Sequence, residues 1–279
     1  MNKKILALIS AAALMTGLMA GCGNSNTNDA SSNGSTSEGG DAAFTTVEDG
    51  KLIMSTNAQF PPYEMVADDG EGYEGTGFEG IDVEIAYAIA EKLGLELVID
   101  DMDFDSALLA AQNGKSDMVM AGVTVNEERQ QVMDFSQTYA NGVQVVIVKE
   151  GSDVTLDNLG DHMIGCQRGT TGYIYCSDTP ENGGYGEDHV TAYDDGATAV
   201  QALINGQVDC VVIDNAPAQE YVKANPGLTI LDTEFTNEDY AIGFAKGNTA
   251  LQEAVDGALD ELIADGTVQS IIDKYIPAE

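Results

Sequence analysis

Basic residues are scarce in this 279-residue chain: 11 Lys and Arg stand against 47 Asp and Glu, a formal charge of −36. A field of that sign repels nucleic acid and anionic lipid headgroups, so neither is an expected partner, and the acidic surface reads as a solubilising one. Histidine is scarcer still. His162 and His189 are the only two, no Ser-His-Asp order or paired-carboxylate motif stands out, and no catalytic residue is assigned. His162 lies four residues before Cys166 but no second pair completes a zinc set, so neither a metal nor a cofactor is expected. Cysteine is limited to four positions. If Cys22 is set aside, Cys166, Cys176 and Cys210 are an odd number, so in an oxidising compartment at least one is free or pairs between chains. Cys166 and Cys210 both sit in strand-like runs and can face each other.

What is present at the N-terminus sets the compartment. Met1-Asn2-Lys3-Lys4 is a short positive head, residues 5–18 are an almost unbroken apolar run, and Ala20-Gly21 supplies small residues before Cys22. That order is a secretory signal peptide over 1–21, and the apolar stretch is too short for a comfortable membrane span. Leu18-Met19-Ala20-Gly21-Cys22 resembles the bacterial lipobox, although Leu stands one position further from the Cys than is usual. The resemblance implies a lipid on Cys22, and several acyl chains on one residue make a durable anchor. The protein is thus expected to be secreted and held at the outer face of the cell membrane. Residues 23–40 hold no aliphatic side chain larger than Ala, cannot repay the entropy of ordering, and read with Cys22 as a flexible tether over 22–43.

From about residue 44 onward, strand-like and helix-like runs alternate, which argues for βαβ units and parallel sheet. Lys51 to Thr56 is a short apolar run; residues 82–93 read as a helix capped by Asp82 and ended by Gly94; residues 95–99 are the next strand; 106–113 are helical; Met118-Val119-Met120 is a buried strand. A weak internal repeat follows. Residues 110–120 and 202–212 are each a helix end, an Asn-Gly stop, an Asp and an apolar strand, as two regions of similar construction would require. Both strands run into small or polar residues, and in open α/β sheets ligands bind beyond the carboxyl ends of the strands.

Two arginines are the chain's only guanidinium groups, Arg129 and Arg168. Asn126 is placed to cap a short helix whose first turn is Glu127-Glu128, with Arg129 one turn in. A free amino acid needs a bidentate guanidinium and backbone N–H groups for its carboxylate, and a carboxylate with further oxygen acceptors for its ammonium. On composition alone Arg129 reads better as a surface residue paired with a neighbouring glutamate, and Phe60 and Phe104 read as ordinary core.

The motifs shift that balance. Phe60-Pro61-Pro62-Tyr63-Glu64, Gly80-Ile81-Asp82-Val83-Glu84, Met102-Asp103-Phe104-Asp105, Gln112-Asn113-Gly114-Lys115-Ser116-Asp117, the run from Ala121 to Arg129, Val132-Met133-Asp134-Phe135-Ser136, Gly169-Thr170-Thr171-Gly172 and the run from Tyr240 to Gly247 occur in order between about Leu52 and Tyr275. In that order and spacing they resemble the polar-amino-acid family of bacterial extracellular solute-binding proteins. The resemblance implies an α/β, two-lobe periplasmic-binding-protein fold of type II, with the ligand in the cleft between lobes joined by a two-strand hinge. Lobe 1 would be 44–139 plus 240–279, lobe 2 would be 143–235, and the hinge 140–142 and 236–239.

It also implies roles. Arg129 grips the ligand carboxylate; Thr124 gives it a backbone N–H and offers its hydroxyl to the ammonium; the carbonyl of Gly122, next to Ala121, accepts from the ammonium; Thr170 and Thr171 close on the carboxylate; Asp214 pairs with the ammonium; Phe60 and Phe104 wall the side chain. Asn57 stands where relatives that take cationic or glutamine-like ligands often have Asp, Gln167 occupies a side-chain-contacting position, and Ile213 replaces a histidine of one relative. An uncharged, polar amino acid is the expected ligand. The implied partners are that free amino acid and a membrane permease of the ABC type with its cytoplasmic ATPase, the protein itself acting as a monomer. The alternatives are a dehydratase-like enzyme of the same fold and a ligand-sensing partner of a receptor. The acidic loop 67–77 is longer than usual and is expected near the cleft mouth.

Overall fold

The computed structural model describes residues 44–277. The signal peptide, lipid site and tether expected over 1–43 lie outside the described residues. Strand β1 (Lys51–Thr56) is buried at every position after Lys51 and runs parallel to β5 (Glu96–Asp101), in register from Lys51 opposite Glu96 to Thr56 opposite Asp101. Between them come a small antiparallel sheet of β2 (Gln59–Phe60), β3 (Glu64–Val66) and β4 (Phe78–Glu79), and helix α1 (Ile81–Leu93). Helix α1 buries Ile81, Val83, Ile85, Ala86, Ile89 and Ala90, and stops because Gly94 adopts φ 70°, a left-handed turn that folds its N–H back onto the carbonyls of Ala90 and Glu91. Asp82 does not cap this helix as expected. It lies inside the first turn, and its carboxylate reaches away to accept from the Gly122 N–H at 3.0 Å and the Tyr139 hydroxyl at 2.8 Å.

Helix α2 (Phe104–Gln112) leads to β6 (Met118–Val119), parallel to β1, and α3 (Glu127–Val132) leads to the longest strand, β7 (Met133–Lys149). There follow β8 (Ile164–Gln167), α4 (Thr171–Ser177), β9 (Val190–Tyr193), α5 (Gly196–Ile204), β10 (Cys210–Asp214), α6 (Asn215–Ala224), β11 (Leu228–Ile230), β12 (Thr236–Ala245), α7 (Thr249–Ala264) and α8 (Thr267–Tyr275). All but β2, β3 and β4 join one nine-stranded sheet in the order β5-β1-β6-β12-β7-β10-β8-β9, with β11 pairing β7. Each flank is built of parallel strands, β5-β1-β6 on one side and β10-β8-β9 on the other, and the antiparallel pair β7 and β12 runs through the middle. The internal repeat has a structural counterpart. Both halves of it are a helix feeding a parallel strand next to this central pair, α2 into β6 and α5 into β10.

Cys166, Cys176 and Cys210 are fully buried in one apolar cluster with Val146, Val148, Leu159 and Val212, and none is in a disulfide. The β10–β8 register sets Cys210 opposite Ile164 rather than Cys166, which is why those two do not face each other as expected. The loop 67–77 also departs from expectation. It turns onto the outside of α1, where Tyr73 meets the edge of Tyr87 at 5.4 Å and Lys274 lies 5.6 Å over the Tyr73 ring, and it contributes nothing to the cavity described below.

Candidate functional site

A narrow cavity, partly open to solvent, sits where the carboxyl ends of the parallel strands from both flanks converge. All eleven residues singled out from the sequence line it. Asn57 follows the end of β1, Phe60 ends β2, and Phe104 opens α2; Ala121, Gly122 and Thr124 lie in the segment after β6; Arg129 projects from α3. From the other flank come Gln167 at the end of β8, Thr170 and Thr171 at the start of α4, and Asp214 at the end of β10.

The Asn126 side chain accepts from the Arg129 backbone N–H at 2.8 Å, so the expected cap sets the six-residue α3 and with it the direction of the Arg129 side chain. Arg129 is 6% exposed, and its guanidinium lies 5.4 Å over the Phe104 ring. It donates to the Thr124 carbonyl at 2.7 Å and across to the Gly169 carbonyl at 3.2 Å, two acceptors for a group with five N–H donors. Burial pulls its pKa down, against the opposing pull of Glu238, yet a guanidinium stays charged in such a setting. A planar anion beside it completes its hydrogen bonding.

Opposite this cation is an acidic wall. Asp214 accepts from the Tyr240 hydroxyl and from Gln144 Nε2, the latter at 2.7 Å. Burial, then the charge of Glu238, pushes the Asp214 carboxyl well above the usual carboxylate range, so it holds its proton until a cation brought beside it favours the charged form. Glu238 itself accepts from the Thr124 hydroxyl at 2.9 Å and from Gln144 at 3.1 Å, which leaves the Thr124 oxygen free to accept in turn. Gln167 donates to Asn57 Oδ1 at 3.0 Å, and Asn57 donates to the Met102 carbonyl at 3.0 Å, so the two amides are tied to each other across the cavity.

No sequence motif marks Glu64, Gln144, Val212 or Glu238 for the site. The first three line the cavity and Glu238 braces it. Glu64 stands out because it is fully buried and neither carboxyl oxygen has a hydrogen-bond partner. It sits inside the Phe-Pro-Pro-Tyr-Glu motif, but nothing in its sequence neighbourhood distinguishes a buried glutamate from an exposed one. Among the described residues no group of three or more His, Cys, Asp and Glu is placed to hold a metal ion.

Residues 52–278 match the model of the bacterial extracellular solute-binding proteins, family 3. The L-cystine-binding protein TcyJ of Escherichia coli (strain K12) is 31% identical, over 83% of this chain and 85% of its own length. The arginine-binding extracellular protein ArtP of Bacillus subtilis (strain 168) is 30% identical, over the full length of both chains. Among solved structures, an ancestral arginine-binding protein bound to glutamine superposes with a TM-score of 0.74 at 37% identity, covering 83% of this chain and all of the other.

Proposed function

The chain belongs to the bacterial extracellular solute-binding proteins of family 3, and from that premise we propose that it captures a free α-amino acid in the cavity and passes it to an ABC-type permease powered by a cytoplasmic ATPase. It is a binding protein rather than an enzyme, as are the relatives it matches. The observation that carries the proposal is the pairing of Arg129 with Asp214 across one cavity, a cation with unused donors facing a carboxyl short of positive partners. The ligand carboxylate binds Arg129 with the Thr124 N–H and the Thr170-Thr171 turn; the ammonium binds Asp214, the Thr124 hydroxyl and the Gly122 carbonyl; Phe60 and Phe104 flank the side chain.

In this reading the two flanks of the sheet are lobes, 44–139 plus 240–279 and 143–235, hinged at 140–142 and 236–239 within β7 and β12. Ligand contacts to both lobes favour the closed arrangement. The N-terminal signal and a lipid on Cys22 would keep the protein outside the cell and near the permease. An uncharged polar side chain suits a wall offering the amides of Asn57, Gln144 and Gln167. A cationic side chain is the second reading, favoured by Glu64, an unpartnered carboxyl at the cavity. Isothermal titration of the purified protein, stripped of ligand by unfolding and refolding, against each common amino acid decides the matter. Saturable binding of one or a few, lost in Arg129→Ala, supports the proposal; no binding to any of them overturns it.

A further inference from the structure

Glu64 follows Tyr63 at the foot of the cavity, at 0% exposure, with both carboxyl oxygens unpartnered. Asp82, also at 0% exposure, lies beside it on α1, and its two oxygens are occupied by the Gly122 N–H and the Tyr139 hydroxyl. No Lys, Arg or His is among the groups that act on Glu64. The groups acting on it from the surrounding elements are Tyr63 on its own turn, Asp82 on α1, Asp101 on β5, Tyr139 on β7, Asp214 on β10 and Tyr221 on α6, all acids or phenols; Arg129 on α3, the cation that lines the same cavity, donates to the Thr124 and Gly169 carbonyls instead. Two carboxylates cannot both stay ionised when buried side by side with no cation.

We propose that Glu64 and Asp82 hold one proton between them and that Glu64, carrying it at the cavity wall, decides which side chains the pocket accepts. The proton goes to Glu64 because Asp82 already has two donors stabilising its charge, whereas Glu64 has none. Burial and Asp82 push Glu64 well above the usual carboxylate range, while Asp82 is raised only to about 6. Turned toward Asp82, the Glu64 hydroxyl leaves its carbonyl oxygen facing the cavity. The wall is then neutral and accepting, and takes an uncharged side chain that donates a hydrogen bond, such as an amide or hydroxyl. A cationic side chain gains from Glu64 only once the proton leaves to solvent. Binding of a cationic side chain is therefore coupled to release of one proton more than binding of a neutral one.

This inference rests on the amino-acid reading for its binding half and is independent of it for its protonation half. The ligand-free full chain at pH 7 is expected to show a protonated-carboxyl C=O band in infrared difference spectra that vanishes in Glu64→Gln. Its absence from the wild-type protein overturns the shared proton, whether or not any amino acid binds. In titration calorimetry with L-glutamine and L-arginine as probes, arginine affinity is expected to rise relative to glutamine affinity by up to about tenfold per pH unit between pH 5 and 7, with about one more proton released. Glutamine, whose ammonium meets the same Asp214, supplies the baseline. An arginine affinity that does not rise relative to glutamine with pH, or a relative rise that persists in Glu64→Gln, overturns the specificity role. Asp82→Asn is the second variant: with the neighbouring charge gone, the arginine slope should move to lower pH, and an unmoved slope would count against the pair.

Discussion

At the scale of single residues, the site depends on a few charges with little room for substitution. Replacing Arg129 by Ala removes the one guanidinium in the cavity and leaves a bound carboxylate unpaired. A loss of affinity of about 100-fold or more is expected in calorimetry, in line with the 2–5 kcal/mol cost of truncating one partner of a buried charge pair. Arg129→Lys should recover little of it, since an ammonium cannot reproduce the planar fork. The acidic residues give the folded state a pH dependence of definite sign. Asp82 has its pKa raised by burial from the usual 3.8 to about 6, so the folded state holds the proton more tightly than the unfolded chain. Its contribution is fully present below about pH 4 and is lost as pH rises toward and past 6, a change of about 3 kcal/mol. Glu64 adds in the same direction. Urea unfolding of the ligand-free protein between pH 4.5 and 7.5 should show falling stability, and the double variant Asp82→Asn, Glu64→Gln should flatten the curve. None of this was legible from the chain. Arg129, Thr124 and Asp214 could be picked out because their neighbours form motifs, whereas the protonation of Glu64 depends on Asp82, Asp101, Tyr139 and Asp214, which are brought to it from distant parts of the sequence.

At the scale of elements, boundaries were readable where local chemistry decides them. Gly94 ends α1 and Asn126 starts α3 because each makes its own hydrogen-bonded turn, and Asn126→Ala should cost about 1 kcal/mol in urea unfolding. The same change should weaken amino-acid binding, because the Asn126 cap is what directs Arg129; an unchanged affinity would separate the two roles. Asp82 was misjudged as a cap for a physical reason. An Asp at the head of an apolar run has a capping geometry available, but the helix starts one residue earlier, its first N–H groups, those of Ile81 and Asp82, are taken by the Pro62 and Tyr63 carbonyls, and the Asp82 oxygens are left to the half-buried Gly122 N–H and the buried Tyr139 hydroxyl. The pair β7 and β12 joins the two flanks at a crowded crossing. A Cβ on Gly142 would come within 2.3 Å of the Tyr240 ring and hydroxyl, the group that donates to Asp214. Gly142→Ala should displace Tyr240, lower stability by about 1–3 kcal/mol, and reduce affinity through Asp214.

At the scale of the whole molecule, the excess of acid sets the response to salt. A formal charge of −36 on one chain destabilises the compact state by self-repulsion. Raising ionic strength from about 0.01 M to 0.15 M shortens the screening length from about 30 to 8 Å. The melting temperature should rise over that range and level off above it, as scanning calorimetry can verify. The alternation of strands and helices foretold the α/β class, but not that both flanks would hang on one continuous sheet, because strand order is set by long-range pairing that no local pattern encodes. That order has a consequence for synthesis. The flank made of β8, β9 and β10 comes from one contiguous stretch of chain, complete once β10 has emerged. The other cannot close its core early, because Ile85 and Ile89 of α1 are buried in the same cluster as Leu251, Val255 and Leu259 of α7, near the end of the chain. A nascent chain still being made therefore carries α1 with its α7-facing side uncovered, and reaches its finished state only when the last helices are released. A chain that must be threaded unfolded through a membrane before it folds would gain from that delay.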